Sequence, residues 1–183
     1  MRHILTTLLL ALIALPAFAD TEAPRGHVLV TLGGAVTETN LPARRETDGG
    51  LLGFHDITYD MAVGFDAAML NAMDQVEITI PYGPKDKQRD ISFSGPLLSD
   101  VMISAGADGK TALPLAMDGY QAKISWQSID THKPILATHS DGVPMGIGGF
   151  GPTMIVFPPV EDESLTEEHA RQQVWAIAYI GVE

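Results

Sequence analysis

The segment from Val174 to Val182 (VWAIAYIGV) carries no charge and is apolar on both faces that a two-residue repeat creates. Trp175, Ile177 and Tyr179 fall on one face; Val174, Ala176, Ala178, Ile180 and Val182 fall on the other. Successive side chains of a strand point to opposite faces of its sheet. A segment apolar on both is therefore an interior strand with packed material on each side. The chain must build a covered sheet, and Trp175 reads as a core residue of it.

Other segments fit the same plan. His27 to Gly34 alternates and stops at paired glycines. Val76 to Tyr82 (VEITIPY) turns Val76, Ile78 and Ile80 inward and Glu77 and Thr79 outward. Ile91 to Phe93 and residues 111–116, 121–126, 135–138 and 153–157 read as further strands. Asp141-Gly142 has the composition of a hairpin turn.

Helical signals are short. Asp66 is placed to cap a helix in AAMLNAM by accepting from free backbone N–H groups. Gly95-Pro96 opens a second, with Leu97, Leu98, Val101 and Met102 on its buried face and Gly106 as its stop. Ser164-Leu165-Thr166-Glu167 has capping-box spacing and opens a third. Residues 37–60 read as loops, with a surface excursion at Arg44-Arg45. With no repeat and no linker, the expectation is one β-rich α+β domain.

The first 19 residues are set apart. Arg2 and His3 precede an apolar stretch from Ile4 to Leu15, and Ala17-Phe18-Ala19 is a small-x-small cleavage signature. This pattern predicts a cleaved secretory signal peptide over 1–19, a folded domain over 20–183 and a bacterial periplasmic location. The apolar stretch is too short for a membrane span, so stable membrane insertion is not expected. A domain of this size buries enough apolar surface to fold without disulfides, and the chain has no cysteine. The formal net charge is −12, and loss of Arg2 leaves ten basic against 23 acidic side chains. Such a surface repels nucleic acid and anionic lipid.

Three groups of residues are candidates for chemistry. The loop Gly146 to Pro152 (GIGGFGP) has glycines that let backbone approach a ligand. It lacks the Lys-Ser/Thr of a phosphate loop and the strand–helix frame of a dinucleotide fingerprint. Tyr82, Tyr120, Trp126, Phe150 and Trp175 offer faces for a flat heterocycle. Among the polar residues Asp118, Ser128, Asp130, His139, Ser140, Asp141 and Arg171, the carboxylates Asp118 and Asp130 suit the donor edge of an amino-pyrimidine. The histidines are scattered and form no metal-ligand pattern. There is no nucleophile elbow and no haem-attachment motif.

Five segments in order carry a family resemblance: F-x-G-P-L-L (Phe93–Leu98), A-x-x-x-Y (Ala116–Tyr120), L-A-x-x-x-D-G-x-P-M (Leu136–Met145), G-P-x-x-I-V-x-P (Gly151–Pro158) and W-x-x-x-x-I-x-V (Trp175–Val182). Together they resemble the molybdopterin-binding fold of the sulfite oxidase superfamily. The enzymes of that superfamily ligate molybdenum through a cysteine thiolate, after a strand that corresponds to Val76–Tyr82. This chain offers Ile80-Pro81-Tyr82 there and has no cysteine anywhere. A basic residue common in the segment matching Pro152–Pro158 is replaced by Met154.

Small exported chains of this kind without the cysteine resemble the periplasmic pterin-binding regulators known as PruR. That resemblance implies a reduced pterin as ligand, no metal, and the periplasmic region of an inner-membrane diguanylate cyclase or phosphodiesterase as partner. The ligand-binding residues expected from residue chemistry and motif placement are Tyr82, Asp118, Tyr120, Trp126, Asp130, Phe150, Gly151 and Arg171. Two other readings stand beside it: a molybdenum cofactor-dependent oxidoreductase, and a non-catalytic periplasmic assembly partner.

Overall fold

The computed structural model describes residues 21–84 and 86–183; the signal peptide expected over 1–19 lies outside the described residues. Strand β1 (Val28–Gly34) pairs antiparallel with β2 (Ala62–Asp66) on one side. On its other side it runs parallel to the terminal strand β10 (Ile177–Val182), and β5 (Ala112–Ala116) completes the sheet antiparallel to β10. A second sheet is built on β3 (Gln75–Tyr82) and β4 (Arg89–Pro96), paired from Gln75–Pro96 to Tyr82–Arg89. It continues into the hairpin of β7 (His139–Ser140) and β8 (Val143–Pro144). Strands β6 (Ile135–Ala137) and β9 (Met154–Val156) form a separate antiparallel pair.

That small pair is the layer two cores share. All six of its residues are buried. Ile135, Ala137, Met154 and Val156 join Ile78, Ile80, Ile91 and Phe93 of the second sheet. Leu136 and Ile155 turn the other way, into the main core with Val30, Leu32, Phe65 and Ile180 of the first sheet. Alternation sends neighbouring residues to opposite faces, so a short uninterrupted apolar run serves two cores at once. Each large aliphatic or aromatic side chain so buried contributes about 1.5–3 kcal/mol. Gly95 lets β4 approach this layer: a Cβ there would stand 2.1 Å from the Leu136 carbonyl oxygen.

Five short helices complete the fold: α1 (Gly50–Phe54), α2 (Ala67–Asn71), α3 (Leu98–Ser104), α4 (Trp126–His132) and α5 (Glu163–Gln172). Asp66 caps α2 as expected, its carboxylate accepting from the Met69 N–H at 2.9 Å. Helix α3 buries Leu98, Val101 and Met102, while Leu97 is half-buried at its cap, and Gly106 follows its end at φ +67°. No described helix is long and apolar enough to cross a membrane. The whole is the β-rich α+β domain expected.

Several local expectations are corrected. Pro96 ends β4 rather than opening α3, because the helix begins only at Leu98. Residues 121–126 form no continuous strand: Gln121 and Ile124 make isolated bridges to β5, and Ser125 then caps α4 through the Ser128 N–H. Helix α5 is capped by Asp162, which accepts from the Leu165 N–H at 2.9 Å, and Ser164 donates to that same carboxylate. The two-face reading of Val174–Val182 fails at a bulge, where Ile177 opposes Ala116 but Tyr179 opposes Leu115. The extra residue shifts the parity. Ile177 therefore shares the main core with Ile180 and Val182, while Tyr179 stacks on Tyr59, their ring centroids 6.4 Å apart.

Candidate functional site

Two adjoining clefts are both lined by Ala170 and Gln173, at the C-terminal end of α5. The first, about 300 Å³, is lined also by Ala116, Asp118, Tyr120, Val174 and Trp175. Its frame is the turn after β5. The Tyr120 N–H donates to the Asp118 carboxylate at 3.0 Å, and the Tyr120 hydroxyl donates to the Arg171 carbonyl at 2.8 Å. Trp175 is 46% exposed, so its aromatic surface is open to solvent rather than sealed in the core. The reason is in the backbone. Ala176 sits at φ +53°, donating to the Phe150 carbonyl at 2.8 Å and accepting from the Met117 N–H at 3.0 Å. This left-handed residue, costing about 1–2 kcal/mol for alanine, turns the chain just before β10 begins.

The second cleft, about 360 Å³, lies between the end of β3 and α5. Ile80 and Pro81 form one wall, and Phe157, Pro158, Pro159 and Val160, following β9, form another. Thr166 and Gln173 supply polar groups from or beside α5, and Gln88 supplies one from the turn before β4, while the His169 ring lines the cleft with both nitrogens buried. The Gln173 side-chain oxygen accepts from the Phe157 N–H at 3.3 Å, tying the two walls together. His169 is 4% exposed and stacks on Phe157 at 4.1 Å. Burial holds its imidazole below the ordinary histidine value; His132 adds to this and Glu168 opposes it.

The expected site residues divide. Asp118 and Tyr120 come together in the first cleft. Tyr82 and Phe150 form an edge-to-face pair at 4.8 Å, beside Pro81 of the second cleft. Gly151 is buried, and a Cβ there would stand 2.3 Å from the Met145 carbonyl oxygen. Its missing side chain serves loop packing, and no glycine of the 146–151 loop lines either cleft.

Three residues are placed elsewhere or otherwise. Asp130 lies on the exposed side of α4 and pairs with Lys133 at 2.6 Å. Trp126, as the first residue of α4, packs half-buried against the main core. Arg171 offers its carbonyl to Tyr120, while its exposed side chain lines neither cleft. Met154 is 1% exposed within the second core. Asp141 is the hairpin residue expected; the Arg89 guanidinium and the Ser92 N–H hold its carboxyl below the usual range.

His169, Phe157 and the proline run line the second cleft and were not among the expected residues. The signal available was the apolar run FPPV, with a lone histidine nine residues after its last residue. The groups that line the clefts are one carboxylate, two amides, two hydroxyl-bearing side chains, and aromatic, imidazole and proline rings. That is chemistry for recognising a flat ring by its edge and its faces.

No family model matches the chain, and no curated protein matches it. Among solved structures it is similar to the sulfane dehydrogenase SoxCD from Paracoccus pantotrophus, with a TM-score of 0.56 and 12% identity. The match covers 88% of this chain and 39% of that one. The likeness is one of fold, and it agrees with the broad sulfite oxidase-like fold that the five segments resemble.

Proposed function

We propose that the chain is an exported, pterin-binding regulator of the PruR kind. Its ligand is a reduced pterin without molybdenum. Its partner is the periplasmic region of an inner-membrane signalling protein of the diguanylate cyclase or phosphodiesterase type. The observation that carries this reading is the cleft at the end of β3. It follows the strand that the family resemblance matches to the one preceding the thiolate, and its wall there is Ile80 and Pro81.

The residues present do not fit a molybdenum cofactor. Molybdenum in such a site takes a soft anionic ligand, and this chain has no cysteine. Met154, at the place of the basic residue, is sealed in the second core. Exposed Glu161, Glu163, Glu167 and Glu168 in and beside α5 oppose a phosphate. A neutral pterin needs neither a thiolate nor a cation. Apolar and aromatic faces hold its rings, and Asp118 in the adjoining cleft is a carboxylate for a donor edge. Regulation then follows from differential affinity: the pterin shifts whichever conformation the partner binds, and the partner shifts pterin affinity by the same factor.

The fold likeness to a sulfane dehydrogenase is what favours the second reading, a molybdenum oxidoreductase. One experiment separates them. The protein is expressed with its leader, purified and denatured; released small molecules are identified by fluorescence and mass spectrometry, and molybdenum is measured in the same sample. The expected result is stoichiometric pterin without metal. Molybdenum with a pyranopterin overturns it, and a protein that is empty and binds no added tetrahydropterin supports the assembly-partner reading.

A further inference from the structure

Gln173 borders both clefts, and its side chain is bonded at one end only. It follows the last residue of α5, and its backbone N–H donates to the His169 carbonyl at 2.8 Å. The carbonyl of the next residue, Val174, accepts from the Ile155 N–H of β9 at 2.9 Å, so the backbone is held from both sides. The side-chain oxygen accepts from the Phe157 N–H at 3.3 Å. A backbone N–H can only donate, so this bond decides which end of the amide is which. The oxygen meets Phe157, and the NH2 group lies on the other side of the amide carbon. That NH2 group makes no hydrogen bond to another described residue. Nor is it sealed: the buried unpaired side-chain atoms among the described residues are the two His169 nitrogens and the Gln172 oxygen. The half-buried Gln173 thus keeps an accessible donor at the boundary of the two clefts.

The neighbouring polar groups leave few others free. The Tyr120 hydroxyl is taken up by the Arg171 carbonyl, and the Thr166 hydroxyl by the Asp162 carbonyl at 2.9 Å. Asp118 accepts from the Tyr120 N–H through one oxygen, and its second oxygen has no partner among the described residues. A held donor and a carboxylate acceptor therefore border one cleft of about 300 Å³, beside the open ring of Trp175. A ligand that satisfies both presents an acceptor and a donor on one edge of a flat ring. A cyclic amide, with its ring carbonyl next to a ring N–H, has that edge. A ring with an amino group in place of the carbonyl would set N–H against N–H and leave both donors unpaired. Because the Phe157 bond already orients the amide, little freedom is lost when the NH2 group takes up an acceptor.

We propose that Gln173 sets the specificity of the site, its NH2 group donating to a ring carbonyl of the ligand while Asp118 accepts from the N–H edge beside it. The site thereby selects an oxo ring over its amino counterpart. This rests on the pterin reading and adds to it the residue that distinguishes one heterocycle from another.

The protein, expressed with its leader and purified, is titrated under anaerobic conditions with two probes. One is 6-methyltetrahydropterin, and the other is its analogue with an amino group in place of the ring carbonyl. Wild type should bind the oxo ring roughly tenfold more tightly or better. Gln173→Glu keeps an oxygen for the Phe157 N–H but puts an acceptor where the donor was. Its affinity for the oxo ring should fall roughly tenfold, and its preference between the rings should shrink by a similar factor or reverse. Gln173→Met, close in length and without a donor, should lose the oxo preference as well. A packing role would weaken both rings alike and leave their ratio where it was. A wild type that binds the two rings equally overturns the inference, and so does a ratio that neither variant moves; the pterin reading stands in both cases. A wild type that binds neither ring overturns the reading beneath it as well.

Discussion

Asp66 shows how one side chain can organise three segments. Its carboxylate accepts from the N–H groups of Met69, Gly26 and Arg25, at 2.9, 2.7 and 2.8 Å. The bond from Met69, then that from Gly26, holds its pKa below the ordinary value, against the opposing effect of burial. In the unfolded chain the group titrates near the usual value of about 3.9. Above that pH both states are ionised and the native bonds stabilise in full. As pH falls below it, the unfolded chain takes up a proton first, and the contribution is lost by the time pH passes the folded value. Urea midpoints of wild type and Asp66→Asn should therefore differ at pH 6, and the gap should narrow as pH falls below about 3.9; a gap that stays constant would show that the charge is not the source. The cap of α2 was legible in the sequence because it is local, two turns of chain around one aspartate. The bonds to Gly26 and Arg25 were not, because they span 40 residues or more.

At the scale of elements, alternation was a good guide wherever one face met water. Strand β3 follows its pattern, with Ile78 and Ile80 buried and Glu77 and Thr79 exposed, whereas β1 is buried on both faces from Val30 to Gly33. Patterns misled where geometry changed within a segment. Ala122, Ile124 and Trp126 alternate like a strand, yet Ser125 is a good N-cap and starts a helix between the last two. The bulge in β10 leaves no mark in composition, and it reverses which side chains share a face. The β4–β6 contact was equally hidden, since it depends on an absent side chain. A Cβ at Gly95 would stand 2.1 Å from the Leu136 oxygen and 2.9 Å from the Ala137 Cα, both backbone atoms that cannot rotate away. Overpacking of a core costs about 1–3 kcal/mol, more where nothing yields. Gly95→Ala should thus lower the melting temperature by roughly 5 °C or more for a domain of this size. A melting temperature unchanged within error would mean that β4 and the shared layer are not so closely apposed.

Taken as a whole, the molecule keeps its cores and its clefts apart. Two cores, joined through β6 and β9, hold the large buried side chains. The clefts lie at strand ends, after β3, β5 and β9 and before β10, where side chains leave the sheets and burial falls. The five motif segments pointed to the broad fold because their glycines, prolines and apolar residues serve the sheets and the shared layer. They placed the site only in part, since the second cleft depends on how α5 folds over the end of β3. Trp175 tests this division. The sequence assigned it to the core, whereas the structure leaves it 46% exposed in the first cleft. Removing a half-exposed ring forfeits little core contact, so Trp175→Ala should shift the melting temperature by no more than about 2 °C. An aromatic face lost from a ligand-covered cleft is worth about 1 kcal/mol or more, so pterin affinity should fall roughly five- to tenfold. Titration of 6-methyltetrahydropterin into the wild type and this variant measures it. A large loss of stability would return Trp175 to the core; unchanged affinity with unchanged stability would confine the ligand to the cleft of His169, leaving the first cleft and its carboxylate free for the partner protein.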